Sequence, residues 1–271
     1  MKSIGFIGMG NMGSAMLRGM LKVFEPEEII FSRRDKEKGR ELCEETGATF
    51  AESNRECAIE AKYLILAVKP QMMQEVLEEI GPDLRKEQIV ISIAAGKSIQ
   101  DIREMLGREI RIIRAMPNTP ALLGEGMTGL CFDGSVYSDG EITVIHKMME
   151  SFGRLQVVKE DLMDAVICVS GSSPAYVYLF IEALADGAVK YGLPRQAAYE
   201  MAAQTVLGAA KMVLETKEHP GVLKDRVCSP GGTTIAGVAA LEEGGFRSAV
   251  IRACDRCYEK AGNIGDKREG K

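Results

Sequence analysis

The sequence predicts an α/β chain in two parts: a mostly parallel sheet wrapped by helices over residues 1–160, then an all-helical domain over residues 161–271. Three observations carry this. Short β-branched runs alternate with helix-length stretches in the first half, the pattern of successive βαβ units. The strand signal stops near Glu160. Beyond it Ala, Met, Leu and Gly dominate, with apolar residues three and four apart. A length of 271 residues suits about two domains, each large enough to bury a core.

In chain order, strands are expected at Ser3–Ile7, Ile29–Phe31, Tyr63–Val68, Ile89–Ile93, Ile110–Arg114, Gly129–Phe132 and Leu155–Val158. Helices are expected between them near Asn11–Val23, Lys36–Thr46, Met72–Ile80, Ile99–Leu106 and Gly140–Phe152, several opened by Ser, Asp or Pro or closed by Gly. The second half reads as helices at Met163–Val169, Ala175–Tyr191, Arg195–Glu215, Gly221–Val227, Ile235–Glu243 and Phe246–Ala261. Gly and Pro punctuate them at Gly171–Pro174, Gly192–Pro194 and Ser229–Gly232. The charged tail Gly265–Lys271 is expected to fray.

Lys and Arg number 34 against 39 Asp and Glu, a net charge of −5, and the signs are interspersed. A basic stripe for nucleic acid is therefore absent from the pattern. The longest strongly apolar runs, such as Tyr63–Val68 and Ile110–Ile113, are strand-sized, and the N-terminus has no signal-like apolar region. These features point to a cytoplasmic protein with no membrane partner. Seven cysteines scattered at 43, 57, 131, 168, 228, 254 and 257 suit reduced thiols better than a disulfide framework. Cys254-x-x-Cys257 has no second pair and no nearby His, so no metal is expected.

Gly8-Met9-Gly10-Asn11-Met12-Gly13 matches the GxGxxG pattern, directly after an expected strand ending at Ile7 and at the head of an expected helix. In that context the first Gly makes the tight turn, the second admits a pyrophosphate to the backbone, and the third lets helix and strand pack. The pattern is that of a Rossmann dinucleotide-binding domain. The second strand ends at Ser32-Arg33-Arg34, where an NAD-preferring domain carries an acid for the ribose 2′-hydroxyl. Ser32 and Arg33 instead suit a 2′-phosphate, so NADP is the expected cofactor. Ala67-Val68-Lys69-Pro70 and the loop Ala115–Pro120, with Asn118 at its centre, lie at expected strand C-termini. All belong to the candidate nicotinamide-side lining. Lys69 reads equally as a donor to a ribose hydroxyl or as a solvated charge.

In the helical half, Ser229-Pro230-Gly231-Gly232-Thr233-Thr234 precedes a helix expected to begin at Ile235. Such a terminus either holds a small carboxylate on backbone N–H groups or is simply capped, and spacing alone leaves both readings open. A general base for alcohol oxidation is hard to find. His146 lies inside a helix and His219 at a helix start, both read as structural, and Tyr176 and Tyr178 sit on an apolar stripe. Glu182, Asp186 and Lys190, four apart, read as a solvated or pairing face. A protonated imine removes the need for a base, because the C=N already carries the charge that draws hydride.

These residues resemble the pyrroline-5-carboxylate reductase family over nearly the whole chain. The resemblance rests on Ile7–Met12, Ala67-Val68-Lys69-Pro70-Gln71, Met116–Pro120, Gly171–Tyr176, and the run from His219-Pro220-Gly221 through Ser229–Thr234 to Gly244-Gly245-Phe246-Arg247. It implies a Rossmann domain followed by a helical domain that interlocks with its twin, an active site shared between subunits, and dimers that assemble further into rings. It implies hydride transfer from NAD(P)H to the C=N carbon of 1-pyrroline-5-carboxylate, the last step of proline biosynthesis. By motif position, Thr234 takes the ring nitrogen and Ser229, Pro230, Gly231, Gly232 and Thr233 hold the substrate carboxylate. Asn54 takes the adenosine-side contact, Ser32 and Arg33 the 2′-phosphate, and Ile7, Gly8, Gly10, Asn11, Met12, Gly13, Ala67, Val68, Lys69, Pro70, Ala94 and Asn118 complete the cofactor set. Ser173 stands where many members have Gly before the Pro.

Two rival readings remain. A β-hydroxyacid dehydrogenase shares the domain order but relies on a Lys early in its second domain, and Ser170–Glu182 contains none. A catalytically silent NADP-binding sensor has no use for a second anion site such as Ser229–Thr234.

Overall fold

A computed structural model describes residues 2–265. The packing divides the chain into two compact units, Ser173–Arg256 and the remainder, so the last turns of the final helix belong with the first unit. The division expected from composition falls at residue 160, where strands cease; the division by packing falls at Ser172, where an irregular helical turn ends.

The first unit is built on one eight-stranded sheet of order β3-β2-β1-β4-β5-β6-β7-β8. The strands are β1 (Lys2–Ile7), β2 (Ile29–Ser32), β3 (Thr49–Ala51), β4 (Ala61–Leu66), β5 (Ile89–Ser92), β6 (Arg111–Met116), β7 (Gly126–Cys131) and β8 (Gly153–Val157). β1 to β6 are parallel, β7 runs antiparallel to β6, and β8 runs parallel to β7. The order reverses between β1 and β4, and such switch points leave a crevice beyond the strand C-termini. Helices α1 (Asn11–Met20), α2 (Lys36–Thr46), α3 (Asn54–Glu60), α4 (Met73–Ile80), α5 (Ile99–Leu106) and α6 (Asp139–Glu150) connect them. β3 and α3, of three and seven residues, are absent from the sequence reading because neither is long enough to show a period. Ser53 caps α3 by accepting from the Glu56 backbone N–H at 3.1 Å.

Side chains alternate along the strands into two cores. Tyr63 and Ile65 join Ile4, Phe6, Met16, Phe31 and Phe152, while Leu64 and Leu66 join Ile7, Leu77, Val90 and Ile112. Cys57, fully buried in the second core, donates to the Phe6 carbonyl, and burial pushes its thiol up to about 12. All seven cysteines are free thiols.

β6 runs two residues beyond its expected end, to Met116. Arg114 on it is 6% exposed and reaches Glu160 Oε1 at 3.1 Å, and the same oxygen accepts from the Ile99 N–H at 2.7 Å. One carboxylate thus fastens the head of α5 and the strand to the start of the following helical segment. There α7 (Met163–Val166) widens into a π-turn at Ile167–Gly171, where the Ser172 N–H donates to the Ile167 carbonyl at 2.8 Å. The sequence reading expects one regular helix through Val169. The π-turn lies beside Met116, Cys131, Met163 and Ala261, the last from the end of the chain's final helix.

The second unit holds α8 (Ser173–Lys190), α9 (Arg195–Thr216), α10 (Pro220–Val227), α11 (Thr233–Glu243) and the first part of α12 (Phe246–Gly265). α8 and α9 pack as a hairpin over Ala185, Ala198 and Ala202, and the small side chains let the backbones approach closely. α8 starts two residues before its expected start, and α11 begins at Thr233, not Ile235. Among the described residues one helical segment, Glu160–Lys190, is by length and composition apolar enough to cross a membrane, longer than the strand-sized apolar runs expected. It arises because α7, the π-turn and α8 follow one another almost without a break. The charged tail expected to fray lies, beyond Gly265, outside the described residues.

Candidate functional site

A crevice of about 640 Å³ opens at the C-terminal ends of β1, β2 and β4, within the range of small-molecule sites. Its floor is the turn from β1 into α1. Gly8 has φ +92°, a conformation that disfavours a side chain, and a Cβ there would lie 2.8 Å from the Ala67 carbonyl oxygen. A Cβ at Gly13 would lie 2.5 Å from the Gly8 oxygen, so this glycine serves packing. A Cβ at Gly10 would meet no protein atom within 4 Å, so the space above the helix terminus is free. No side chain caps α1 at Gly10. Its first N–H groups lack intrahelical partners and face the dipole's positive end, a setting that suits an anion.

Ile7, Gly8, Gly10, Ser32, Arg33, Asn54, Ala67, Val68 and Lys69 all line this crevice, brought together from separate strand ends. Asn11, Met12 and Gly13 lie on α1 behind the floor. Pro70 opens a short 3-10 turn. Ala94 is buried with the core under α4 and α5. Asn118 is 8% exposed and has both ends of its amide in use: Nδ2 donates to the Ser170 carbonyl at 2.9 Å, and Oδ1 accepts from the Met127 N–H at 2.8 Å. It ties the Met116–Pro120 loop to β7 and to the π-turn.

The nearest acid beyond β2, Asp35, is engaged as the N-cap of α2, accepting from the Lys38 N–H at 3.2 Å. That backbone donor, against an opposing desolvation, and then the charges of Lys38 and Arg33 hold its carboxyl below the usual range. Beside it at the end of β2, Ser32, Arg33 and Arg34 line the crevice. The sequence reading missed Met72, Glu75, Val76 and Glu79, one face of the segment leading through α4, which forms a wall of the crevice. Their spacing of three, four and seven was visible, but it marks a helix face without saying what the face adjoins. Asn54, at the head of the unexpected α3, accepts from Ser32 Oγ at 2.7 Å and donates to Glu79 Oε2 at 2.6 Å.

In the second unit, the Ser229–Thr234 segment turns sharply into α11. The Gly232 N–H donates to the Ser229 carbonyl, and a Cβ at Gly232 would lie 2.3 Å from Ser229 Oγ. Gly231 has φ +69°. No side chain caps the helix at Gly232, and the first helical bond is Ala236 N–H to the Gly232 carbonyl at 3.4 Å. Thr233 and Thr234 occupy the first two helical positions of α11, where backbone N–H groups have no intrahelical partner. His219 accepts from the Gly221 N–H at 3.0 Å as the N-cap of α10, and His146 lies 3.8 Å from Glu150 on α6. Asp186 pairs with Arg195 at 2.5 Å. Among the described residues no group of three or more His, Cys, Asp or Glu could hold a metal ion.

Across 262 residues the chain is 49% identical to the pyrroline-5-carboxylate reductase of Escherichia coli strain K12, covering 96% of this chain and 97% of that one. The chain belongs to the pyrroline-5-carboxylate reductase family. The family model for pyrroline-5-carboxylate reductase dimerisation matches residues 160–264, and the model described as NADP oxidoreductase, coenzyme F420-dependent, matches residues 3–96. The Coxiella burnetii pyrroline-5-carboxylate reductase structure superposes with a TM-score of 0.90 at 35% identity, covering 98% of this chain and 99% of that one. The Plasmodium falciparum pyrroline carboxylate reductase structure, with NADP bound, gives 0.87 at 34% identity, covering 98% of each. The chain is therefore an oxidoreductase of that family.

Proposed function

We propose that this chain reduces 1-pyrroline-5-carboxylate to L-proline with NADPH in preference to NADH, the final step of proline biosynthesis, as a cytoplasmic homodimer. The observation that carries this reading is the pairing of two anion sites in one family member: the α1 terminus at Gly10 and the uncapped α11 terminus at Thr233. A dinucleotide pyrophosphate suits the first, and a small carboxylate the second.

The reduced nicotinamide, when bound, supplies a hydride to the imine carbon. Gly8, Gly10 and the α1 terminus hold the pyrophosphate, with Ile7, Ala67, Val68 and Lys69 alongside. Arg33 and Arg34 meet the 2′-phosphate at the end of β2, with the Ser32 hydroxyl beside it and turned to Asn54, and Asn54 takes the adenosine side. The N–H groups of the Ser229–Thr234 turn take the substrate carboxylate. Thr234 Oγ1 accepts from the N–H of the protonated ring nitrogen and so orients the C=N bond. No protein base is required, because hydride addition turns the iminium into a neutral amine with no proton abstracted.

The exposed apolar side chains of the second unit, Leu179 at 67% and Ile251 at 61% among them, support a second copy as the cover for these helices. The same cover accounts for Glu160–Lys190 without a bilayer.

The deciding experiment follows absorbance at 340 nm when the purified protein meets NADPH and 1-pyrroline-5-carboxylate, with NADH and hydroxy-acid pairs in parallel. Oxidation of NADPH with L-proline formed is expected. Binding of nucleotide without turnover of the imine would return the chain to the hydroxy-acid or sensor readings.

A further inference from the structure

We propose that Glu79 is a specificity-determining residue of the nucleotide crevice: acting through Asn54, it fixes which way the Ser32 hydroxyl points and so restrains the preference for a 2′-phosphate. The inference rests on the dinucleotide reading of the crevice.

Ser32 is 2% exposed at the end of β2 and lines the crevice. A hydroxyl has one proton to give, and Ser32 gives it to Asn54 Oδ1 at 2.7 Å. Asn54 presents its oxygen there because its nitrogen is taken by Glu79 Oε2 at 2.6 Å. An ionised carboxylate only accepts, so it demands the amide nitrogen and leaves the amide oxygen for Ser32. The charge-assisted link is the stronger of the two and sets the direction of the chain. Ser32 then offers the crevice its lone pairs. A ribose 2′-hydroxyl can donate to them, whereas an ionised 2′-phosphate oxygen needs the proton that Ser32 has already committed. Arg33 and Arg34 attract the phosphate while the Glu79–Asn54–Ser32 relay withholds one hydrogen bond from it. Without the Glu79 acceptor, the Asn54 amide can turn, donate to Ser32 Oγ and release the hydroxyl proton toward the ligand.

Dissociation constants for NADPH and NADH, read from nucleotide fluorescence on the full-length protein, test this without turnover. Glu79→Ala is expected to shift the ratio toward NADPH by about tenfold, the worth of one hydrogen bond to a charged group. Asn54→Ala breaks the relay at its other end and is expected to move the ratio in the same direction. In a Ser32→Ala background, removing Glu79 is expected to leave the ratio unchanged. An unshifted ratio in Glu79→Ala, or a full shift that persists without the Ser32 hydroxyl, overturns the relay; the second result assigns the effect to the bare charge of Glu79. Failure of the unsubstituted protein to bind either nucleotide overturns the dinucleotide reading instead. Thermal melting of each variant separates lost binding from lost folding.

Discussion

Ser32, Arg33 and Arg34 follow one another where β2 ends and line the crevice, and the next residue, Asp35, caps α2. Reversing both charges, Arg33→Glu with Arg34→Glu, is expected to weaken NADPH binding on the order of 10–100-fold relative to NADH. Titration of the double variant with each nucleotide checks this, and an unchanged ratio would place phosphate recognition elsewhere. Thr234 stands at the second position of α11 with no capping bond to hold its hydroxyl. Thr234→Ala is expected to lower turnover by roughly 10–10³-fold with NADPH affinity near normal. Steady-state kinetics beside direct nucleotide binding separates the two quantities, and unchanged turnover removes Thr234 from the reaction. At this scale the sequence was legible where the requirement is local. Gly8 and Gly10 are needed by a turn six residues long, so their spacing betrays them. Glu75 and Glu79 line the crevice only because α4 is packed beside α3, and no local pattern reports that neighbour.

Among the elements, α6 is held at its head by a cluster at the opposite end of the sheet from the crevice. Glu141 shares a capping box with Ser138 and reaches Arg111 at 2.9 Å and Lys62 at 3.3 Å. Burial raises its carboxyl, but the Ser138 N–H and the Arg111 and Lys62 charges outweigh it and bring it down to about 2. The folded value lies below the ordinary 4.5, so the stabilisation is present above that pH and fades as pH falls toward 2. Glu141→Gln is expected to cost on the order of 1–2 kcal/mol at neutral pH after screening, and to flatten the acid limb of a stability profile. Denaturant melts at pH 7, 4 and 3 would show it; parallel curves for both proteins would discard the pairing as a source of acid sensitivity. The regular helices and long strands were visible in the sequence, since each repeats its period several times. β3 and α3 were not, and neither was the π-turn, where the Ser170 carbonyl accepts from the Asn118 amide and Ile167 joins the cluster around Met163. The head of α11 was placed two residues late because Thr233 and Thr234 look like caps but lie inside the helix.

For the molecule as a whole, the two units are unequal in what they bury. The first has two continuous cores, one on each face of the sheet, whereas the buried cluster of the second consists of Ala185, Ala198 and Ala202 among the described residues. Leu179, Phe180, Phe246 and Val250 line an apolar groove of about 450 Å³ between α8, α11 and α12. Covering a Leu or Ile is worth about 1.5–3 kcal/mol, so the proposed second copy would supply what three alanines do not. Leu179→Asp is expected to shift the protein toward monomer and to lower its melting temperature, as sedimentation velocity over a concentration series would record. A monomeric unsubstituted protein would sink the proposed dimer. The division of labour between sheet and helices was legible from composition, but the crossing points were not: the chain leaves the first unit at Ser172 and re-enters it at Cys257. Ala261 therefore completes a cluster whose other members, Met116, Cys131, Met163 and Ile167, are made about a hundred residues earlier or more. On the ribosome the sheet can assemble while the helices are still being synthesised, but this patch stays open until nearly the whole polypeptide has emerged. A nascent chain stalled before residue 257 would carry a folded nucleotide crevice and an unclosed apolar patch, and so present itself to chaperones as unfinished.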